Sequence, residues 1–191
     1  LFFALTGGGA TGNGQRWMLD LARFQVGVVY LYGGVAKLNS DWLAGQPMVL
    51  WLERRADWPW IGEWLAWDPM ALIVSISGLV FDLAIVPLLL WPRTRRLAFL
   101  GVLLFHVANV VLFHIGIFPF LMVVMTTVFL DPSWCRRSEV APVEPRPLSR
   151  WVVPVMVLWL GFHLAMPLRH WFFPGDVAWT EEGHRFSWRM K

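Results

Sequence analysis

Long apolar blocks alternate with short polar punctuation along this chain. The blocks run to roughly 17–23 residues, the length a helix needs to cross the hydrocarbon of a bilayer. They predict a first helix over about 17–38, a second over 69–91, a third over 97–114, a fourth over 119–130 and a fifth over 151–173. Residues 39–68 are too polar and Trp-rich to span. There Asp41 to Leu52 reads as an interfacial helix, and Trp58, Trp60, Trp64 and Trp67 read as surface anchors. Asn39, Ser40 and Asp41 offer cap chemistry at its start. Residues 6–14 form a Gly-rich loop, Gly116 and Pro119 a tight reversal, and 131–150 a polar, Pro-rich loop. Pro154 and Pro167 are expected to kink the fifth helix. Beyond Pro174 the chain turns polar, and His184 to Met190 alternates polar and apolar like a strand.

The expected fold is all-α: a polytopic transmembrane helical bundle of about five spans, closed by the start of a soluble β-rich domain. The expected domains are 1–173, a partial transmembrane domain whose N-terminal helices are missing, and 174–191, the truncated opening of an extracytoplasmic domain. The chain opens inside an apolar scrap at Leu1 and closes on Trp188 to Lys191, and is read as a fragment of a longer protein.

Composition sharpens this picture. Only 15% of the 191 residues are charged and 57% are hydrophobic, against about 25% charged in soluble domains. That excludes a soluble enzyme, a disordered chain and a nucleic-acid-binding domain. The basic pI near 9.6 comes from arginines in short loops between apolar blocks, which is membrane topology. Arg93, Arg95 and Arg96, then Arg16 and Arg23, then Arg136, Arg137, Arg146 and Arg150 fall on one side and predict it to be cytoplasmic. Cys135, the single cysteine, excludes a disulfide framework and any multi-Cys metal site.

Ionisable groups inside spans are costly and are functional candidates by default. Here they are Lys37, Asp82, His106, His114, His163 and His170, with Asn109 as a polar neighbour. Lys37 ends the first helix, on one face with Tyr30, Gly33 and Gly34. It is either a snorkelling lysine, paired with Asp41 one turn on, or a desolvated amine acting as a general base. His106 and Asn109 lie one turn apart, and His114 two turns beyond His106, about 12 Å of rise. That is too far for one metal without further ligands, and no HExxH accompanies them. An interhelical hydrogen-bond pair is the plain alternative. Asp82 reads as a structural group bonded to another helix. The topology places Lys37, His114 and His170 at the outer ends of their helices and suggests one outward-facing pocket.

The string YGGVAKLNSDWLAG, residues 32–45, resembles the lysine motif of vitamin K-dependent gamma-glutamyl carboxylases, roughly AG-V-x-K-L-[DN]-x-D-W-x-x-G. Phe105 to Asn109, then Leu112-Phe113 and Ile115 to Phe118, resemble the family's FHxxN…LFxIGxF block. His170 to Gly175, Trp179-Thr180 and Ser187 to Met190 resemble the segment leading into its lumenal domain. Bacterial members, with a horizontally transferred transmembrane domain, are the nearest in pattern. Where the family often shows two adjacent lysines, the first is Ala36 here; a family tyrosine is replaced by Phe186 or His184.

The resemblance implies a definite chemistry. The lysine matching Lys37 is the family's base and deprotonates vitamin K hydroquinone, which reacts with O2 to give a far stronger base. That base takes a glutamate γ-proton, the carbanion adds CO2, and the quinone leaves as an epoxide. A γ-proton is too weakly acidic for any side-chain base, so the driving force has to come from a cofactor. His170 matches a histidine near the reaction centre. The expected catalytic residues are Lys37 and His170. The expected cofactor-binding residues are His106, Asn109, His114, Tyr30 and Trp42, with no metal.

The expected cofactor is reduced vitamin K or a related quinol, with O2 and CO2 as co-substrates. The expected partners are membrane lipid, quinone, a glutamate-containing peptide or protein and other membrane subunits, with no nucleic acid. The expected location is a bacterial inner membrane, with the site facing the extracytoplasmic side. Two other readings stand beside the enzyme: a non-catalytic scaffold subunit of the same fold, binding quinone or lipid, and a transporter or channel. The last predicts more broken helices and mid-membrane charge than the chain carries. Kinship of fold alone does not fix function.

Overall fold

Small residues set the first helix pair. Helix α1 (Asn13–Ala36) lies along α5 (Asp68–Leu90), and its glycines face the contact. A Cβ at Gly27 would stand 3.5 Å from Val86, and one at Gly34 would fall 2.5 Å from Leu83 Cδ2. Without side chains there, the two backbones approach closely, which is how helices associate in lipid. The computed structural model describes residues 13–113, 115–130, 150–174, 177–180 and 185–188.

Helix α5 starts with Asp68 and a proline in its first turn, both favourable at a helix N-terminus. Its last carbonyls are closed by the following loop. Thr94 Oγ1 donates to Leu88 O (2.7 Å), and Arg95 donates from Nε to Leu89 O (3.0 Å) and from Nη2 to Leu90 O (3.3 Å). The chain then returns as α6 (Arg95–Leu112) and reverses at Gly116 into α7 (Phe118–Thr126), whose last turn tightens to a 3₁₀ turn at Thr127–Phe129. Val26 and Tyr30 of α1, Ile85 and Leu89 of α5, Ala98 and Val102 of α6, and Met122 and Phe129 form the core.

Between α1 and α5 the chain folds into α2 (Ser40–Leu43), α3 (Gln46–Glu53) and α4 (Gly62–Leu65). Asn39 caps α2 as expected: its Oδ1 accepts from Trp42 N at 2.9 Å. The single interfacial helix expected over 41–52 is split by Gly45, which sits at φ 72°. A Cβ there would also stand 3.0 Å from the Leu72 backbone, so the turn takes glycine on two counts.

Among the described residues three helices are long and apolar enough to span: Asp68–Leu90, Arg95–Leu112 and Val152–Phe172. Phe118–Phe129 is a shorter apolar helix. The protein is thus an all-α membrane protein, with two of the five expected spans falling outside those limits. The first helix is long, but Asp20 and Arg23 are buried in it as an ion pair at 3.4 Å. Arg23 Nε also donates to Val128 O at 3.0 Å, so this arginine secures the end of α7 and contributes less to charge-based topology than its place in the sequence suggests.

Helix α8 (Val152–Ala165) begins just before Pro154, which therefore lies in its first turn and produces no kink. Pro167 acts as expected: the helix tightens there into a 3₁₀ segment, Met166–Phe172. Most of α8 is exposed, as a lipid-facing helix would be, and Tyr32 Oη donates to Leu164 O (2.6 Å) to hold it to α1. A short α9 (Val177–Thr180) follows. The strand expected over 184–190 is not formed by its described residues, 185–188, which make turns. Phe186 and Trp188 have φ of 69° and 56°, left-handed values that an extended strand excludes. His184, Arg189 and Met190 lie outside the described residues.

Candidate functional site

Lys37 follows the last turn of α1 and points at α5. Its Nζ lies 2.5 Å from Asp82 Oδ2, with the two side chains 12% and 8% exposed. The same ammonium donates to Gly33 O at 3.2 Å and stands 5.1 Å from the centre of the Trp42 ring. Lys37 is therefore neither snorkelling nor paired with Asp41. Its depth also differs from the expected outer edge. Asp82 sits about 21 Å of helical rise from Asp68 and about 12 Å from Leu90, so the ion pair lies well inside the span.

The chain reaches this depth because α2 turns back along α5. Trp42 Nε1 donates to Ser75 O at 2.8 Å, and Ser75 Oγ donates in return to Trp42 O. This reciprocal clasp stacks the indole beside the ammonium. Two glycines complete the surroundings. A Cβ at Gly33 would lie 3.2 Å from Asp82 Oδ2 and 3.9 Å from Lys37 Nζ. One at Gly78 would lie 3.9 Å from both Lys37 Cε and Trp42 Cζ2. Glycine at both positions lets the backbones close on the charged pair, where a side chain at position 33 would press on Asp82.

A second polar group lies on the same face of α1, two turns before Lys37. Tyr30 Oη is 3.1 Å from His106 Nε2 of α6 and 3.1 Å from Thr126 Oγ1 of α7. Thr126 Oγ1 is also bonded to Met122 O at 2.7 Å. The plain alternative for His106, an interhelical hydrogen bond, is thus realised, with Tyr30 rather than Asn109 as partner. His106 Nδ1 is buried without a hydrogen-bond partner among the described residues. Tyr30 packs edge-on to Phe81 (6.0 Å), the residue before Asp82, and Phe81 stacks on Phe105 at 3.8 Å. With Phe105 edge-on to His106 at 5.3 Å, the rings close around the Tyr30–His106 hydrogen bond. Replacing Tyr30 with Phe is expected to cost about 1–3 kcal/mol, because His106 Nε2 loses a buried partner. Thermal unfolding of the purified protein measures it, and an unchanged midpoint contradicts the network's role.

Other expected site residues stand apart. Asn109 is half-buried on α6, and its side chain makes no hydrogen bond among the described residues. His170 keeps to its own turn: Nδ1 is 2.7 Å from Pro167 O, and the ring meets Trp171. Its Nε2 is shielded from water and unpartnered among the described residues, and no described contact joins it to Lys37. His114 lies outside the described residues. The expected convergence of Lys37, His114 and His170 is thus not among the contacts seen.

Asp82 is bonded to a group at the end of another helix, as expected, but its partner Lys37 was not named from the sequence. The available signal was energetic. An aspartate in the middle of an apolar span needs a cation, and Lys37 is the one lysine within the helical blocks.

A lysine motif, a mid-span ion pair and an interfacial Trp-rich segment set the frame for comparison with known proteins. The HTTM domain family matches residues 12–134, and the lumenal domain of vitamin K-dependent gamma-carboxylase matches residues 148–191. The chain belongs to the vitamin K-dependent gamma-carboxylase family. No solved structure matches it. The HTTM match takes in α1 to α7, and so both the Lys37–Asp82 pair and the Tyr30 network. The lumenal-domain match begins before α8 and includes His170.

What the carboxylase-family site can hold follows from its surfaces. A flat, lipophilic ring needs an aromatic face and a polar handle. Trp42 provides the face and Lys37 with Asp82 the handle, and Gly33 and Gly78 let the helices pack closely against them. An indole face beside an ammonium–carboxylate pair is the residue chemistry that a reduced quinone would require.

Proposed function

We propose that the protein is an integral-membrane enzyme that couples oxygenation of a reduced quinone to carboxylation of glutamate side chains. The quinone is vitamin K hydroquinone or a related quinol, with O2 and CO2 as co-substrates. One observation carries the reading: a part-buried ammonium, in the family's lysine motif, held deep in the span against a carboxylate and an indole face. When bound, the quinone supplies the strong base that no side chain can provide.

The chain's own residues have narrower tasks. The Lys37–Asp82 pair draws a proton from the quinol hydroxyl. Trp42 orients the ring, and the apolar faces of α1 and α5 exclude water, which strengthens each electrostatic contact in the site. The Tyr30–His106–Thr126 network fixes α1, α6 and α7 beneath the pair. The roles of His170, Asn109 and His114 rest on the family resemblance alone, His170 as a group near the reaction centre and the other two as cofactor-binding residues. We place the protein in a bacterial inner membrane with its site open to the extracytoplasmic side, among lipid, a glutamate-bearing peptide or protein, and further membrane subunits.

The scaffold reading has one observation in its favour, since a lysine neutralised by an aspartate is also a sound structural clasp between helices. Membranes carrying the full chain, given reduced vitamin K, O2 and CO2, are expected to form quinone epoxide, measured by chromatography. Absence of epoxide, together with fixed-stoichiometry co-purification of other membrane subunits, decides for the scaffold.

A further inference from the structure

We infer that Arg169 anchors the glutamate carboxylate of the proposed substrate. This rests on the carboxylation reading above and assigns a residue to its anionic partner.

That chemistry needs a cation. A glutamate side chain enters with one negative charge. Removing a γ-proton, on the carbon beside the carboxylate, spreads a second negative charge onto the same group. In a low-dielectric site this is costly unless a cation faces it. Most cations near the spans are already engaged. Lys37 is held by Asp82 and Gly33 O, and Arg23 by Asp20 and Val128 O. Arg95 donates to the last carbonyls of α5, and Arg55 to Leu112 O.

Arg169 differs. It is the one lysine or arginine between residues 152 and 172, a stretch long and apolar enough to span. It is half-buried and makes no ion pair among the described residues. Its Nε is shielded from water and has no hydrogen-bond partner among them. The guanidinium carbon stands 5.9 Å from the centre of the Phe173 ring, which supplies no oxygen. A guanidinium stays charged, and its planar fork of N–H groups matches a carboxylate. A shielded N–H on a cation is costly without an acceptor, and a bound carboxylate removes that cost. A snorkelling arginine would keep its head in water, which the shielded Nε opposes. The neighbouring His170 does not compete as donor through Nδ1, whose proton goes to Pro167 O, because a carbonyl oxygen only accepts.

The connection to α1 sets the depth. Tyr32 Oη donates to Leu164 O at 2.6 Å. The arginine pattern that puts residues 131–150 on the side of the α1 N-terminus makes α8 run in the same direction as α1. From the Tyr32–Leu164 bond, Lys37 lies about 8 Å further along α1, and Arg169 about 9 Å further along α8 and its 3₁₀ end. The two cations therefore stand at similar depth on helices that touch, one with its own carboxylate and one without.

Peptide binding tests this without turnover. The full chain in nanodiscs of neutral lipid is titrated with a fluorescent peptide carrying one glutamate, and with the same peptide carrying glutamine. Anisotropy reads the two affinities. The wild type is expected to prefer glutamate by about 10-fold or more, the scale of a hydrogen bond to a charged group. Arg169→Gln is expected to bind both peptides alike. Arg169→Lys keeps the charge without the fork and is expected to lose part of the preference, which decides the matter if the Gln variant does not fold. A preference unchanged in these variants overturns the inference, as does equal binding of the two peptides by the wild type. A preference for anionic over neutral phospholipid that vanishes in Arg169→Gln while the peptide preference persists assigns the arginine to headgroups and also overturns it. Epoxide formation by the wild type is measured in the same nanodiscs. Epoxide formed alongside an Arg169-independent preference overturns the inference alone, and no epoxide under any condition overturns the proposed function and the inference with it.

Discussion

Lys37→Ala is expected to abolish epoxide formation and to destabilise the protein by about 3–5 kcal/mol, the cost of leaving a buried ion without its partner. Both effects follow from one distance. With Nζ gone, Asp82 remains in the middle of α5, 8% exposed at its side chain, with no cation at 2.5 Å. The Lys37→Ala/Asp82→Ala double variant separates the two effects. Removing both charges removes the desolvation penalty, so most of the lost stability is expected to return, leaving a double-mutant coupling of at least 2 kcal/mol by analogy with directly bonded pairs, about 0.5–3 kcal/mol in general. Activity is expected to stay at background, because neither charge is left to ionise a quinol. Thermal unfolding in detergent and chromatographic assay of epoxide read the two quantities independently. Retained epoxide formation in Lys37→Ala removes this residue from the chemistry, and strict additivity of the stability losses removes the ion pair from the fold.

The helices themselves were plain in the pattern because apolar blocks this long leave few alternatives. The second block, read as 69–91, forms α5 at 68–90, and the third, read as 97–114, forms α6 at 95–112. The depth of Lys37 was not plain. A residue at a helix end reads as a residue at the membrane surface unless something shows where the neighbouring helix begins. Here α1 stops at Ala36 beside the middle of α5, because the chain turns back along α5 and is pinned by Trp42 and Ser75. Such a return is set by one indole and one hydroxyl 33 residues apart, and no local periodicity encodes it. The alternation at 184–190 misled for the opposite reason: a few alternating residues are too short a cue, and positive φ at Phe186 and Trp188 overrides it. The family motif drew attention to Lys37, while its partner Asp82 lay on a helix whose pattern is almost uniformly apolar.

Trp42→Ala is the second large effect, expected at about 3–5 kcal/mol of stability, the range for truncating a buried Trp or Phe. The indole is 7% exposed and packs with Met48, Leu52 and Ala71 under the short helices. Its loss opens a cavity, leaves Ser75 O without its donor, and takes the aromatic face from Lys37. Trp42→Phe divides these contributions. Phe keeps an aromatic face and much of the packing, but cannot donate to Ser75 O. Its stability loss is expected near 1–3 kcal/mol, the cost of one buried acceptor left unpaired. The consequence for function differs from that of Lys37→Ala. Ser75 Oγ bonds to the Trp42 backbone carbonyl, so α2 retains one half of its clasp and the ion pair persists in Trp42→Phe. Epoxide formation is then expected to survive with a raised requirement for quinol, whereas Trp42→Ala loses the turn that holds α2 against α5 and with it the site. An unaltered quinol requirement in both variants separates Trp42 from the ligand and leaves it a purely structural wedge.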